Sequence, residues 1–414
     1  MPSPQTFTPS LIPYADKRAL ADEFVGRKLD TLRTPALIVD RAGFARNCEF
    51  VTGEIRAKGL GFRAHIKTHK TAEGVRLQCA PGVTALVTST LPEVWGVLQS
   101  GLVEEGKVTD ILYSLPAAED RLEDLTDAQE KAGDRAVIRV MVDHAEQVVA
   151  LARAHARLNR RRKWSAFVKV DGGAQRAGAP PRSAQMKDLI EALVAAADTV
   201  EIFGFYSHFG NSYKSTNLDE AGKYYAGEIE CVNDAATYAR ELGATGEWTL
   251  SVGATPTAHA AALGAATEGG LQGTLEVHAG CYCVNDLQQT ATGLVKDART
   301  TALTVLGTVV SKYAERAEGM CDIGALAVSK DQGPIPGYGR VVTPGLEGWS
   351  LGRISQEHGT LVKADAGARE LEIGERFRVV PQHACLVCAN FPWFYVVDGD
   401  GDTVVDVWVP WRAW

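Results

Sequence analysis

Residues 165–209, SAFVKVDGGAQRAGAPPRSAQMKDLIEALVAAADTVEIFGFYSHF, contain one complete unit of the pattern that decides the fold. The runs SAFVKVD (165–171) and EIFGFYSHF (201–209) are rich in aromatic and β-branched residues, which favour strands. Between them, residues 183–197 have apolar residues at helical spacing and begin with Ser183, a good helix N-cap. A strand, a helix and a second strand in this order predict a βαβ unit with parallel strands.

The same alternation extends from Gly61 to Gly280. Other strand-like runs lie on both sides of this unit, at 61–67, 85–90, 110–115, 136–143, 248–253 and 274–280. Helical patterns cover 143–160 and 218–243. Eight strands alternating with helices over about 220 residues predict an α/β fold, the (β/α)8 TIM barrel. A doubly wound open sheet is the alternative, but the eight units and the lack of a G-x-G-x-x-G motif after the first strand favour the barrel.

The barrel domain is predicted to span residues 41–290. Beyond residue 290 the helical periodicity fades, and short β-rich runs are separated by Gly, Asp and Pro. These runs lie at 301–313, 320–328, 359–364, 376–388, 394–398 and 402–411, and one more strand-like run occupies 36–40. We therefore predict a second, mostly β C-terminal domain composed of residues 1–40 and 291–414.

The composition is that of an ordinary globular protein, with 45% hydrophobic and 23% charged residues. The formal net charge of −8 argues against a nucleic-acid partner. No segment approaches 18 consecutive apolar residues and the N-terminal residues do not resemble a signal peptide, so we expect no membrane association and a cytoplasmic protein. The eight cysteines are then expected to be reduced thiols.

Polar side chains are concentrated where the predicted strands end. Active sites of barrel enzymes lie at this carboxyl end of the strands. His65 and Lys67 end the first strand, within FRAHIKTHKT (62–71), and Tyr206 and His208 end the sixth. Taken alone, the cluster around Lys67 is compatible with a solvated basic turn, a metal clamp or a lysine held for covalent chemistry.

The segment GATPT (253–257) follows the seventh strand. It supplies a glycine, two hydroxyls and, if a helix begins near Pro256, backbone N–H groups that can face an anion. An ordinary turn between strand and helix is the alternative. A phosphate pocket opposite a lysine on the first strand suggests a phosphorylated aldehyde bound as a Schiff base, and pyridoxal phosphate fits this description.

A second candidate site lies in PQHAC (381–385), which follows a strand-like run. In an extended stretch, residues two apart point to the same side, so His383 and Cys385 can bind one ion together. A histidine and a thiolate suit zinc, and two protein ligands leave positions open for substrate or water. The alternative is a hydrogen-bonded structural histidine beside a core cysteine.

Seven segments taken together resemble a known family. They are TPALIVDRAGFARN (34–47), HIKTHK (65–70), VKVDGGAQRAG (168–178), GFYSHFGNSY (204–213), SVGATPT (251–257), SQEHG (355–359) and PQHAC (381–385). In this order they resemble the D-serine dehydratase and D-threonine aldolase family, pyridoxal phosphate enzymes of fold type III with an alanine-racemase-like barrel. The resemblance covers roughly residues 33–390.

This resemblance implies roles for individual residues. Lys67 would carry pyridoxal phosphate and act as the catalytic base, with His65 and Tyr206 also assigned to the catalytic site. Arg176 would contact the phenolate oxygen of the cofactor and Tyr206 would line its ring. The other residues assigned to cofactor binding are His208, Gly253, Ala254, Thr255, Gly280, Cys281 and Tyr282. His383 and Cys385 would bind a metal beside the substrate, and members are typically homodimers with the active site at the interface.

Within the resembling family, a His-x-Cys pair accompanies zinc-dependent dehydratases and a His-x-Asp pair accompanies aldolases. Cys385 therefore favours zinc, with Mn²⁺ or Mg²⁺ as alternatives. The predicted function is a D-serine dehydratase that eliminates the β-hydroxyl of a D-3-hydroxyamino acid to give a 2-oxo acid and ammonia. The alternatives are a D-threonine aldolase, with His65 as a candidate base, and a D-threo-3-hydroxyaspartate dehydratase.

The chain departs from the family pattern at three places. Gln356 stands where Glu is usual, Asn211 stands where His is common, and HAGCYC (278–283) replaces RPGNY. The roles of Gln356, Asn211 and the nearby His358 are left open. A cofactor-binding protein without turnover is disfavoured, since the β-domain and the His-x-Cys pair have no purpose there.

Overall fold

The computed structural model describes residues 14–265, 269–295 and 300–414. The chain divides into two compact units. Unit 1 contains Glu49–Gly280 and Trp411–Trp414, and unit 2 contains Tyr14–Cys48 and Cys281–Pro410.

The first described elements are α1 (Lys17–Phe24), β1 (Ala36–Asp40) and α2 (Arg41–Ala57). Asp16 caps α1, because its carboxylate accepts hydrogen bonds from the backbone N–H groups of Arg18 (2.9 Å) and Ala19 (3.1 Å). Strand β1 is buried almost throughout, as expected of a strand with neighbours on both edges.

Unit 1 is built on a closed barrel of eight parallel strands in sequence order, so the predicted (β/α)8 fold is confirmed. The barrel strands are β2 (Gly61–His65), β3 (Ala85–Thr88), β4 (Asp110–Pro116), β5 (Val137–Val142), β6 (Trp164–Lys169), β7 (Val200–Ser207), β8 (Trp248–Val252) and β9 (Gly273–Ala279). Pairing of β9 with β2, from Gly61 opposite Glu276 to Ala64 opposite Ala279, closes the ring.

Helices connect the barrel strands. They are α3 (Ala72–Cys79), α4 (Leu91–Gln99), α5 (Leu122–Ala132), α6 (Ala145–Arg157), α7 (Ala184–Ala195), α8 (Leu218–Glu241) and α9 (Thr255–Ala262). Ser183 caps α7 as predicted, since its hydroxyl accepts the N–H of Met186 at 3.1 Å. Asn217 caps α8 in the same way, through the N–H of Glu220 at 2.9 Å.

The barrel interior combines an apolar layer with a buried ion network. Phe167 and Tyr206 pack edge to face in the apolar layer, together with Val87, Leu112 and Met141. Arg63, only 1% exposed, donates to Glu276 (2.8 Å) and to Asp110 (2.5 Å). Removing one partner of such a buried ion pair typically costs about 3–5 kcal/mol, so this network is tightly constrained.

Unit 2 is dominated by one mostly antiparallel sheet, and the predicted mostly β C-terminal domain is confirmed. Its further elements are α10 (Leu287–Ala291), β10 (Leu303–Tyr313), β11 (Glu318–Cys321), α11 (Ala325–Val328), β12 (Gly339–Val341), β13 (Trp349–Ile354), β14 (Gly359–Lys363), β15 (Arg376–Pro381), α12 (Ala384–Asn390), β16 (Phe394–Val397) and β17 (Asp406–Trp408). The strand order is β11-β14-β13-β12-β15-β10-β1-β16-β17.

The long strand β10 organises this sheet. It pairs with β15 through residues 305–308 and with β11 through residues 309–313. Because β11 is also the first strand of the order, six strands form a closed ring. Strand β1 pairs with residues 303–306 of β10, and β16 and β17 follow β1 to extend the sheet beyond this ring. In this extension only the pairing of β1 with β16 is parallel.

Two short apolar runs differ from their predicted structure. Residues 320–328 were expected to be one strand, but the strand ends at Cys321 and Ala325–Val328 are helical. Residues 376–388 were also expected to be extended, but the strand ends at Pro381 and α12 begins at Ala384. Periodicity alone does not separate a short buried strand from a short buried helix, which explains both differences.

Candidate active site and metal-binding pair

Lys67 lies two positions after His65, the last residue of β2, and is half buried in unit 1. The turn around it is fixed by backbone hydrogen bonds from Ile66 to the Val87 carbonyl (3.0 Å) and from Lys70 to the Ile66 carbonyl (2.9 Å). The other members of the HIKTHK cluster have structural partners. His69 lies 2.9 Å from the Gln78 side chain, and Lys70 forms an ion pair with Glu93 at 3.0 Å. Lys67 therefore stays the predicted cofactor lysine of this cluster, and the catalytic role of His65 also stays a prediction.

Three imidazoles lie at this end of the barrel. Burial, together with the positive charges of nearby lysines, lowers the pKa of His208 to about 3 and holds the pKa of His65 well below its usual value. Nδ1 of His208 lies 2.7 Å from the carbonyl oxygen of Gly253, which can only accept. Nδ1 therefore carries the hydrogen, and Nε2 of His208 has its lone pair available.

The third imidazole, His278, was not singled out by the sequence. It is 2% exposed at the end of β9 and stacks on Tyr206, with ring centroids 3.9 Å apart and an interplanar angle of 11°. Burial, with a contribution from the nearby His208 and Lys169, holds the pKa of His278 well below its ordinary value. Its sequence signal was the departure of HAGCYC (278–283) from the pattern of the resembling family.

Lys169 is a second lysine at this end of the barrel, and no sequence pattern singled it out. It ends β6, and its Nζ lies 4.3 Å from the centroid of the Tyr206 ring. Burial, aided by the positive charge of Arg176, lowers the pKa of Lys169 to about 7. Its sequence signal was a lysine inside the otherwise apolar run SAFVKVD.

Arg176 and Tyr206 are also brought to this end of the barrel. Arg176 is exposed, and its positive charge contributes to the lowered pKa values of His65, His208 and Lys169. Burial raises the pKa of the Tyr206 phenol well above its ordinary value, so this hydroxyl keeps its proton.

The loop between β8 and α9 has the geometry of an anion cradle. Gly253 has φ +150°, and a Cβ added there would lie 2.1 Å from the carbonyl oxygen of His278. Helix α9 begins at Thr255, and its first internal hydrogen bond runs from Ala258 to the Ala254 carbonyl at 2.9 Å. The N–H groups before that bond lie at the positive end of the helix.

Glu228, on α8, is buried near Thr257 of this region, and no sequence pattern singled it out. Oε1 of its carboxyl group accepts the N–H of Phe209 at 2.7 Å. Burial raises the pKa of Glu228 to about 8, so the group is largely protonated at neutral pH. A neutral carboxyl group here avoids placing a negative charge beside the proposed phosphate.

The remaining predicted cofactor residues fall into both units. Gly280 packs closely on His65 in unit 1, since an added Cβ would lie 3.1 Å from the His65 carbonyl oxygen. Cys281 and Tyr282 belong to unit 2 and are buried there. The Cys281 thiol donates to the Asp286 carboxylate at 3.2 Å. Its phosphate-binding role stays a prediction.

The predicted metal pair lies in unit 2 at the start of α12. His383 is the N-cap of this helix and Cys385 is in its first turn. Helix geometry rather than strand alternation therefore brings the two side chains together, and a hydrogen bond between them contributes to the raised pKa of His383. Nδ1 of His383 lies 2.5 Å from Oδ2 of Asp331, which leaves Nε2 for an ion.

Asp286 holds the segment between the two ligands. Its Oδ2 accepts the N–H of Ala384 at 2.8 Å, and its Oδ1 accepts the N–H of Gln289 at 3.0 Å. Within the described residues no group of three or more His, Cys, Asp or Glu side chains converges on one point. A two-ligand site with positions open to other molecules is consistent with this donor set.

The positions left open by the sequence lie on exposed turns. Asn211 is in the short helical turn Gly210–Lys214 of unit 1. Gln356 and His358 are in the exposed turn between β13 and β14 of unit 2.

Comparison with known proteins identifies the family. A model of the alanine racemase N-terminal domain matches residues 39–269, and one described as "Putative serine dehydratase domain" matches residues 302–397. The D-serine dehydratase of Schizosaccharomyces pombe is 38% identical over 406 residues, covering 96% of both chains. The chain belongs to the D-serine dehydratase and D-threonine aldolase family.

Other members of this dehydratase and aldolase family agree with the match. The D-serine dehydratase of Saccharomyces cerevisiae is 32% identical, covering 95% of this chain and 99% of its own. The solved D-threo-3-hydroxyaspartate dehydratase of Delftia sp. HT23 has a TM-score of 0.82 and 28% identity over 94% of this chain and 100% of its own. In one further structure of that enzyme, alanine replaces a histidine. In another, which is metal-free, alanine replaces the cysteine two positions later.

Family membership defines the class of chemistry. The named relatives are dehydratases and aldolases, which are lyases, and this family member is a lyase. Its alanine-racemase-like fold implies pyridoxal phosphate as the cofactor. Among the described helices, none combines the length and apolarity required to cross a bilayer.

The residues at the carboxyl end of the barrel fit that cofactor. Lys67 offers an amine, Arg176 offers a cation for an anionic oxygen, and the loop at Gly253 offers close backbone approach for a phosphate. In addition, Nε2 of His278 is buried without a hydrogen-bond partner in the described chain, as expected of an atom that faces a ligand.

Proposed function

We propose that the chain is a pyridoxal phosphate- and zinc-dependent D-serine dehydratase, which converts D-serine into pyruvate and ammonia. The observation that carries this proposal is the pairing of His383 with Cys385, held by Asp331 on one side and Asp286 on the other. A thiolate and an imidazole suit zinc, and zinc suits removal of a hydroxyl group. The two yeast relatives, 38% and 32% identical to this chain, are both named D-serine dehydratase.

Pyridoxal phosphate, when bound, supplies an aldehyde for the substrate amine and a conjugated ring that takes up the electron pair left on Cα. Lys67 Nζ would hold the cofactor between turnovers and would take the Cα proton of the substrate. The Arg176 guanidinium would bind the phenolate oxygen, and the loop at Gly253 would hold the phosphate through backbone N–H groups. Tyr206 keeps its proton because it is buried, so it packs against the ring without adding a charge.

His383 and Cys385 would hold a zinc ion, which would supply positive charge to stabilise the departing hydroxide. Asp331 accepts the Nδ1 hydrogen of His383 and so directs Nε2 toward the ion. Asp286 holds the backbone between the two ligands and keeps their spacing. The released enamine hydrolyses to the 2-oxo acid and ammonia.

Product analysis tests this proposal. The holoenzyme with zinc is incubated with D-serine, D-threonine and D-threo-3-hydroxyaspartate, and 2-oxo acid, ammonia, glycine and aldehyde are measured. Equal amounts of pyruvate and ammonia from D-serine are expected, and a Cys385→Ser variant, which keeps a smaller and harder ligand, should lose most of this activity. Glycine and an aldehyde as the main products would instead identify an aldolase.

A second candidate is D-threo-3-hydroxyaspartate dehydratase. It is favoured by the TM-score of 0.83 to a structure of that enzyme, which also carries a histidine and a cysteine two positions apart as its altered residues. The same assay separates the two functions by the ratio of kcat/KM for the two substrates. We further propose a homodimer in the cytoplasm, which size-exclusion chromatography with light scattering and imaging of the tagged protein would check.

A further inference from the structure

His278 terminates a buried chain of hydrogen bonds that crosses the barrel. Arg63 donates to Oε1 of Glu276 at 2.8 Å, and the hydroxyl of Ser251 donates to the same oxygen at 2.8 Å. Nδ1 of His278 lies 3.0 Å from the Ser251 oxygen. All four side chains lie on barrel strands of unit 1, so the chain is part of the rigid frame of the barrel.

This chain of hydrogen bonds determines which ring nitrogen of His278 carries the hydrogen. A serine hydroxyl has one hydrogen, and here it is used on the carboxylate of Glu276. The Ser251 oxygen must therefore accept from Nδ1 of His278. A neutral imidazole has one N–H, so Nε2 is left with a lone pair and acts only as an acceptor.

The acceptor is buried and has no partner of its own within the described chain. His278 is 2% exposed, and its Nε2 makes no hydrogen bond to any described residue. A buried acceptor without a donor costs about 1–3 kcal/mol, so such an atom usually faces a ligand. The ring is also held flat against Tyr206, 3.9 Å away, and its centroid is 6.3 Å from that of His208.

The acceptor Nε2 of His278 requires a hydrogen-bond donor, and the ring of the proposed cofactor has one atom that can become a donor. The phosphate and the phenolate oxygen of pyridoxal phosphate accept hydrogen bonds. The ring nitrogen becomes a donor only when it is protonated. Resting on the proposed function, we propose that Nε2 of His278 accepts a hydrogen bond from the protonated pyridine nitrogen of the cofactor, and that Ser251 positions His278 to do so.

This assignment has a chemical consequence. A protonated ring nitrogen draws electrons from Cα more strongly than a neutral one. The chain Arg63–Glu276–Ser251–His278 would thus stabilise the charged ring in a site otherwise lined by cationic groups.

The direct test is the protonation state of the ring nitrogen. The full-length enzyme is reconstituted with pyridoxal phosphate labelled with ¹⁵N in the ring, and solid-state ¹⁵N NMR is recorded at pH 7 to 8. We expect the upfield signal of a pyridinium in the wild-type protein. A downfield signal of a neutral pyridine in a fully loaded wild-type protein overturns the inference while leaving the proposed function intact.

Variants separate the acceptor from simple packing. His278→Phe keeps the flat stack on Tyr206 but removes the acceptor, and should move the signal to that of a neutral pyridine. The loss of one hydrogen bond to a charged group corresponds to a fall in kcat of about 10- to 100-fold, with KM for D-serine little changed. A pyridinium signal retained in a loaded His278→Phe protein would refute the assignment.

Substitutions of Ser251 provide an independent test in which His278 itself is unchanged. Ser251→Ala removes the acceptor for Nδ1–H, so the imidazole can hold its hydrogen on Nε2 and the pyridinium signal should weaken. Ser251→Thr retains a hydroxyl and should restore it, which a merely structural role does not predict. If His278→Phe does not fold, this pair and the wild-type spectrum still decide the question.

Two controls complete the design. His155→Gln, on the outer helix α6, should leave the spectrum and kcat unchanged. Pyridoxal phosphate content is measured after alkaline release from each protein. A wild-type protein that takes up no cofactor would refute the proposed function and this inference together, whereas a loaded protein with a neutral ring refutes only the inference.

Discussion

Gly253, the crowded glycine of the β8–α9 loop, allows a quantitative prediction. In Gly253→Ala the new Cβ would lie 2.1 Å from the His278 carbonyl oxygen, whereas ordinary contacts begin at 3.4 Å, so the loop must move by more than 1 Å. The φ of +150° also favours glycine and adds about 1–3 kcal/mol of strain for alanine. Overpacking typically costs a further ~1–3 kcal/mol.

The loop can relieve this strain by moving away from the β9 backbone, which removes its N–H groups from the phosphate. We expect affinity for pyridoxal phosphate to fall at least 30-fold, which is about 2 kcal/mol at 1.4 kcal/mol per factor of ten. The assay is a fluorescence titration of the apoprotein with the cofactor. Thermal melting of the apoprotein reports the loss of stability separately.

Gly264→Ala is the matched control. Gly264 also has a positive φ, +107°, but an added Cβ would meet nothing within 4 Å. This variant should lose only about 1 kcal/mol of stability from backbone strain and bind the cofactor within twofold of the wild-type value. If Gly253→Ala and Gly264→Ala bind pyridoxal phosphate equally well, the anion-cradle assignment is wrong.

Three further perturbations test other parts of the site. Asp331→Asn should weaken zinc binding about 10- to 100-fold in a chelator competition, while the exposed Asp365→Asn should not change it. Borohydride reduction of the holoenzyme should fix the cofactor on the peptide containing Lys67, as read by mass spectrometry, and Lys67→Ala should abolish this adduct; an adduct on Lys169 in the wild-type protein would contradict the assignment. Burial lowers the pKa of Lys169 from 10.5 to about 7. Between these pH values the unfolded chain binds a proton on Lys169 that the folded protein does not, so the free energy of unfolding rises with pH. Lys169→Met should flatten that rise in melting curves of the apoprotein, and an unchanged slope would count against a buried amine.

The barrel could be predicted because its signal is local and repeated. One βαβ unit at 165–209 already shows the strand and helix periods, and six more strand-like runs bring the number of strands to the eight of a barrel. The same reasoning places Lys67, Tyr206 and His208 at one end of the barrel, since parallel strands end together. Gly253 was found because a glycine before a helix start has a recognisable role in anion binding.

The missed residues share a different property. Lys169 and His278 are polar side chains inside or at the end of β-rich runs, and a strand sequence does not say which polar residue is buried against which ring. Asp331 lies 52 residues before His383, and only tertiary structure brings the two together. Glu228 lies in the middle of a long amphipathic helix, where a carboxylate is normally assigned to the exposed face.

The metal pair stays a prediction, but the local geometry from which it was argued differs from the structure. An extended stretch was expected at 381–385, but the chain turns into α12 at Ala384. A helix start can bring an N-cap side chain close to a residue two positions later, as a strand can. The two conformations therefore could not be distinguished by the spacing of His383 and Cys385.

The position of β1 has a consequence for how the protein is made. This strand lies between β10 and β16, so both of its neighbours are synthesised after the entire barrel. Residues 36–40 must therefore leave the ribosome unpaired and stay so while more than 260 further residues, up to Leu303, are translated. An exposed apolar strand of this kind invites aggregation, so we expect nascent chains stalled before residue 303 to bind holdase chaperones through this segment.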